Sequence, residues 1–274
     1  MQRTLYWSKM KNIEISNPDK VLYPRDKITK IDVIKYYIDI ADRMMPHIKN
    51  RILTVIRCHE NIDQNCFFKK HPTNDKDMVK IKKLKNEEYF YLTSIEQLIY
   101  QVQMGTLEFH IGGSQVQSFN YPDVMVFDLD PDGKLPLTQL RLGVHKLKSI
   151  LDELNLRAYL KTSGGKGYHI MVPFPQKKTW QSFSNFAEQV AKLAEQNSPD
   201  LFTTNIRKSE RKNKIFIDYL RNNQNSSCVA PYSLRARDGA TISMPIRWQD
   251  LKKIKPNEIN IKNYKKYLSN AWDA

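Results

Sequence analysis

The stretch "PDVMVFDLDPDGKLP", residues 122–136, decides how the rest of the chain is read. Val124, Met125, Val126 and Phe127 follow one another with no polar face, as in a strand covered on both sides. Asp128 and Asp130 then flank Leu129. Side chains two apart on a strand project to one side, with Cα atoms roughly 6.6 Å apart. Two carboxylates at the end of an apolar strand repel one another and resist the loss of water. A divalent cation removes that conflict. Mg²⁺ and Mn²⁺ prefer carboxylate oxygens and keep positions open for substrate phosphates. A third acid is normally needed, and "KIFIDYL" (214–220) offers Asp218 behind Ile215, Phe216 and Ile217. Two ions ~3.5–4 Å apart can activate an attacking oxygen and stabilise a leaving one. An isolated DxD occurs far more often in solvated loops. Its weight here comes from the second acidic strand and from the charge of the chain.

That charge is +15, from 44 Lys plus Arg against 29 Asp plus Glu over 274 residues, and it is spread along the chain. A folded protein this basic usually meets a polyanion, most often nucleic acid. The bland alternative is a soluble basic protein whose Lys and Asn content follows an AT-rich genome. With 41% hydrophobic and 11% aromatic residues, the chain can build an ordered core as one large domain or as two lobes sharing one. Cys58, Cys66 and Cys228 form no CxxC pair, which argues against structural zinc; the odd count fits a reducing cytosol. No apolar run reaches the roughly 18 residues of a membrane span. "MQRTLYWSKM" lacks the pattern of a secretory signal.

The periodicities mix helix and strand. Ile31, Ile34, Ile38 and Ala41 predict a helix from a Thr29 cap to about Met45. "RILTVIRC" reads as a strand, "FFKKHPTNDKD" as a polar loop led by two phenylalanines, and "YFYLT" as a strand. "SIEQLIYQVQMG" reads as a helix ended by Gly105, and "TLEFHI" as a strand stopping before two glycines. An amphipathic helix follows the acidic strand, and another runs from about Thr179 to Gln196. Trp7, Trp180, Trp248 and Trp272 are assigned to the core; His47, His59, His71 and His145 are assigned to surface or packing rather than ligation.

Between these helices, "KTSGGKGYH" (161–169) joins two strands. It is not a Walker A loop. Its glycines allow a tight turn with amides facing outward, and such amides make an anion nest. Ser163 adds a hydroxyl, Lys166 a point charge, and His169 returns on the second strand. The plain alternative is a Gly-Gly hairpin.

"FDLDP", "KTSGGKGYH", "IFIDYLRN" and "APYSLRAR", in this order, resemble the polymerase domain of bacterial DNA ligase D, within the archaeo-eukaryotic primase superfamily. The resemblance runs from "NPDKVLYP" to "PIRW". It implies an α+β fold, with an RRM-like antiparallel catalytic sheet and a second α/β module, in a single domain over residues 1–274. It implies nucleotide addition to 3′-hydroxyls at double-strand breaks and short gaps in non-homologous end joining, with a preference for ribonucleotides and manganese. The metal-binding acids then fall on Asp128, Asp130 and Asp218. Nucleotide contacts fall on His110, Ser163, Lys166, Gly167, Arg211 and Arg235, with His169 beside them. Template-facing aromatics fall on Phe67 and Phe68, and a pocket for a downstream 5′-phosphate on Asn17, Lys20 and Lys30.

The expected cofactors are two Mn²⁺ or Mg²⁺ ions. The expected partners are DNA ends and gapped DNA, NTPs or dNTPs, Ku and a ligase, at a cytoplasmic, nucleoid-associated location and with no membrane. Neither a KxDG ligase motif nor a nuclease module is evident, so an excised domain or a free-standing polymerase is expected. Many members carry Gln three residues after the third aspartate, where this chain has Arg221. Two rivals remain: a replicative-type primase subunit, disfavoured by the missing cysteine cluster, and a catalytically silent module that bridges DNA ends.

Overall fold

A computed structural model describes residues 13–73, 76–175, 177–268 and 271–272. Trp7 lies outside them. The chain divides into two interleaved compact units. Unit 1 takes residues 1–111, 229–242 and 260–262; unit 2 takes 112–228, 243–259 and 263–274.

In unit 1, a small ladder of β1 (Val21–Tyr23) and β2 (Ile28–Thr29) leads into α1 (Lys30–Ile48). Asp32 starts that helix by accepting from the Thr29 amide and hydroxyl at 3.0 and 2.6 Å. Val33, Ile34, Tyr37, Ala41 and Met44 recur at helical spacing and are wholly buried. Tyr37 buries its ring against Phe109 and donates its hydroxyl to the Leu107 carbonyl at 2.6 Å, so its one polar atom is satisfied. Next come β3 (Arg51–Asn61), β4 (Gln64–Lys69), the hairpin of β5 (Lys80–Leu84) and β6 (Glu87–Tyr91), and α2 (Ile95–Gln103). β7 (Thr106–Gln115) begins in this unit. It continues through the two glycines expected to stop it.

Unit 2 holds β8 (Val124–Pro131), α3 (Leu137–Glu153), β9 (Tyr159–Thr162), β10 (Tyr168–Pro173), α4 (Trp180–Asn197), β11 (Phe202–Thr203) and β12 (Ile215–Asp218). β13 (Cys228–Val229) spans the boundary, and β14 (Pro245–Ile246) completes a six-stranded sheet ordered β11-β12-β8-β10-β9-β14. All its pairings are antiparallel except β11 with β12. α3 packs on β8 and β10, and Leu140, Val144, Leu147 and Leu151 are its buried stripe. This is the expected α+β class.

Some sequence expectations change. Phe67 and Phe68 do not lead a loop; they lie on β4, opposite Arg57 and Ile56 of β3. Cys58 and Cys66 face each other in the same ladder and are joined as a disulfide, whereas Cys228 is buried and lies outside that bond. A search for CxxC spacing does not detect a pair made by strand register. Trp180, Trp248 and Trp272 are half-buried rather than core, each donating its indole N–H to a backbone carbonyl (Phe119, Ala158 and Leu160). Among the described residues no helix is long and apolar enough to cross a membrane.

Candidate active site

β8 lies between β12 and β10, and register sets the chemistry. Asp128 faces Asp218 on one side and His169 on the other; His169 in turn faces Lys161 of β9. Residues in register on neighbouring strands share a face. Asp218, Asp128, His169 and Lys161 therefore form one row across four strands, with Asp130 two residues along β8 on the same face. The alternate residues Met125, Phe127 and Leu129 are wholly buried, which holds the acids on the other side.

The three carboxylates feel one another. Burial, then Asp128 and Asp218, push Asp130 up to about 6. Burial also raises Asp218, although Arg221, with Nε 3.0 Å from Asp218 Oδ2, pulls the other way. Burial would raise Asp128 too, but His169, Arg221 and Lys161 together hold it below the usual carboxylate range. His169 Nε2 lies 3.3 Å from Asp128 Oδ1, and its Nδ1 lies 2.9 Å from the Lys161 ammonium. Lys161 is wholly buried and donates to Ser243 Oγ at 2.6 Å. Three mutually perturbed carboxylates are a donor set for a hard divalent ion. Among the described residues, no three His, Cys, Asp or Glu side chains are gathered closely enough to hold an ion as they stand.

The loop between β9 and β10 departs from expectation. The amides of Gly165 and Gly167 do not face outward; both donate to Ser163 Oγ, at 3.0 and 3.2 Å. The hydroxyl thus organises the turn, while Lys166 is exposed at its tip. Gly167 is required because a Cβ there would lie 2.0 Å from the Leu129 carbonyl oxygen, inside the acidic strand's own backbone. Arg211 lies 3.6 Å over the Phe216 ring and donates to the carbonyls of Asn205 and Ile206.

Unit 1 carries the other candidates. His110 and Arg235 meet on Glu108: His110 Nε2 lies 2.8 Å and Arg235 Nε 3.0 Å from Glu108 Oε2, and the Ala236 amide donates to Oε1 at 2.7 Å. Burial would raise Glu108, but the His110 hydrogen bond, Arg235 and that amide hold it down to about 2. Phe68 is 70% exposed beside the His110 ring, and Phe67 contacts His59. Asn17 sits in a left-handed turn at φ 48°, and its carbonyl accepts from the Lys20 amide. Lys20 pairs with Glu60 at 2.9 Å. Lys30 is buried and donates to the Ser16 carbonyl at 2.8 Å; burial, then Lys20, lower its pKa.

Residues 29–274 match the family described as "LigD, primase-polymerase domain". The chain belongs to the LigD primase-polymerase family. It is 32% identical over 257 residues to the multifunctional non-homologous end joining protein LigD of Pseudomonas aeruginosa, and 33% over 250 residues to that of Mycolicibacterium smegmatis. These alignments cover 92% and 89% of this chain but 31% and 33% of those relatives. The chain therefore spans about a third of their length. The solved polymerase domain of Mycobacterium tuberculosis ligase D in complex with DNA superposes with a TM-score of 0.85 at 28% identity, covering 92% of each chain.

Within this LigD-family unit, motif reading had not singled out Glu108, Lys161 or Ser16. Two of them carried a faint signal. Glu108 stands two before His110 in "TLEFHI", on the same side of a strand whose opposite face, Leu107, Phe109 and Ile111, is apolar. Lys161 is a lysine inside a buried strand, where a charge needs a partner. Ser16, which also accepts from Gln103 at 2.7 Å, had none.

Proposed function

We propose that the protein adds nucleotides to DNA 3′-hydroxyl ends at double-strand breaks and short gaps. Asp128, Asp130 and Asp218 would hold two Mn²⁺ or Mg²⁺ ions. The observation that carries this reading is the register that sets Asp218 opposite Asp128, with Asp130 raised to about 6 by its neighbours. The ions would neutralise the triphosphate and lower the barrier to attack by the 3′-oxygen. Everything else is positioning. His169, braced by Lys161, keeps Asp128 ionised and oriented. Ser163 shapes the loop and Lys166 offers charge at its tip. Arg211, anchored over Phe216, and Arg235, anchored on Glu108, present guanidinium groups to an anionic substrate. His110, fixed by the same Glu108, is assigned to the sugar and to a preference for ribonucleotides over deoxynucleotides.

The exposed pair Phe67 and Phe68 is assigned to the template bases, since aromatic faces stack on any base. Asn17, Lys20 and Lys30 are assigned to a downstream 5′-phosphate. A separate or fused ligase and Ku are the proposed partners, at the nucleoid in the cytoplasm. Extension of a primer across a short gap tests the reading, comparing NTPs with dNTPs, Mn²⁺ with Mg²⁺, and a 5′-phosphate with a 5′-hydroxyl. Failure to incorporate any nucleotide with Mn²⁺ would leave only an end-bridging role. Synthesis on single-stranded DNA without a primer would favour a replicative-type primase.

A further inference from the structure

We propose that Arg221 is a built-in counter-ion that competes with the divalent ion for Asp218 and so sets the protein's metal affinity. This inference rests on reading the three aspartates as the ion site. Both oxygens of Asp218 are engaged: Oδ1 accepts from the Leu220 amide at 3.1 Å, and Oδ2 faces Arg221 Nε at 3.0 Å. The amide belongs to the backbone and stays, whereas the guanidinium stands on the side-chain position an ion would use. Arg221 follows Asp218 by three residues in a short 3₁₀ turn, Leu220–Asn222, so its tether keeps it beside the carboxylate. Its side chain is 43% exposed and that of Asp218 only 12%, so the guanidinium covers the acid from the solvent side and has room to swing outward.

Its charge also reaches the rest of the site: it helps hold Asp128 down and, after Arg211, opposes the rise of Asp130. Arg211, the other cation acting on Asp218, is tied to two carbonyls and an aromatic face, and makes no described ion pair with that acid. The guanidinium and a divalent ion cannot both occupy Oδ2 at contact distance, because like charges there repel strongly. Binding the ion therefore requires Arg221 to leave.

The test measures Mn²⁺ binding to the whole protein, without DNA or nucleotide, by the electron paramagnetic resonance signal of free Mn²⁺. Arg221→Gln should tighten binding about fivefold, the size expected for releasing one partly exposed ion pair. Arg211→Gln, which removes the same charge without an ion pair to Asp218, should change binding less than twofold. In an Asp218→Asn background, Arg221→Gln should lose its effect, whereas a general field acting on Asp128 and Asp130 would preserve it. Equal effects of the two arginine variants, or a gain that survives in the Asn background, would overturn the proposal. If Asp218→Asn and Asp128→Asn leave Mn²⁺ binding unchanged, it is the ion-site reading itself that fails.

Discussion

Replacing Asp130 by Asn should stabilise the metal-free protein at neutral and alkaline pH while destroying its activity. Asp130 is held at about 6 against an ordinary 3.8, roughly two pH units, which corresponds to roughly 3 kcal/mol. Solvent at the part-exposed carboxylate reduces that to ~1–2 kcal/mol. A carboxyl whose folded pKa is raised favours the native state fully below its unfolded pKa, and that contribution is lost as pH rises through the folded value. Wild type therefore loses it on passing pH 6, whereas a permanently neutral Asn does not. For a chain of this size each kcal/mol moves the unfolding midpoint about 2–4 °C, so Asp130→Asn should melt ~2–8 °C higher at pH 8. The advantage should shrink as pH falls through 6 and vanish near pH 4. Differential scanning calorimetry in chelator-treated buffer at pH 4, 6 and 8 reads this directly. Added Mn²⁺ should then stabilise wild type by mass action and the Asn variant much less. A variant no more stable than wild type at pH 8, or an advantage unchanged between pH 8 and pH 4, would refute the reasoning that burial and the neighbouring acids disfavour the Asp130 carboxylate.

Asp128→Ala or Asp218→Ala should reduce primer extension at least ~100-fold, while DNA affinity measured by anisotropy stays within about twofold because the basic residues that meet phosphate remain. Glu108→Gln should destabilise the protein by ~2–4 kcal/mol in urea at pH 7, since it strips a buried ion pair from Arg235. Because Glu108 is held down to about 2, its stabilising contribution is present above the ordinary 4.5 and lost as pH falls toward 2; the gap between wild type and variant should close over that range. Lys20→Ala with Lys30→Met should abolish a roughly fivefold or greater preference for gapped DNA bearing a 5′-phosphate, yet retain extension of an open overhang. Equal binding of both DNAs by wild type at moderate salt would sink that assignment.

Features carried by neighbours along the chain were legible before any folding was known. Asp128 and Asp130 alternate with apolar residues that must be buried, so both acids fall on one side of a strand. Thr29 marks a helix start, and the glycines between 164 and 167 mark a tight turn. The motif order from "FDLDP" to "APYSLRAR" was likewise readable and pointed to the family. What required tertiary structure was every relation set by strand pairing. Only the register of β8 with β12 and β10 sets Asp218 and His169 on either side of Asp128. Only the folding back of residues 229–242 brings Arg235 to Glu108, 127 positions earlier. The Cys58–Cys66 bond, and the turning of two loop amides onto Ser163, are of the same kind. Periodicity reports which face of an element is apolar, but not which element will cover it. Partners distant in sequence are chosen by burial of the opposite faces, and a polar residue such as Glu108 or Lys161 acquires its role only from the groups that this burial places beside it.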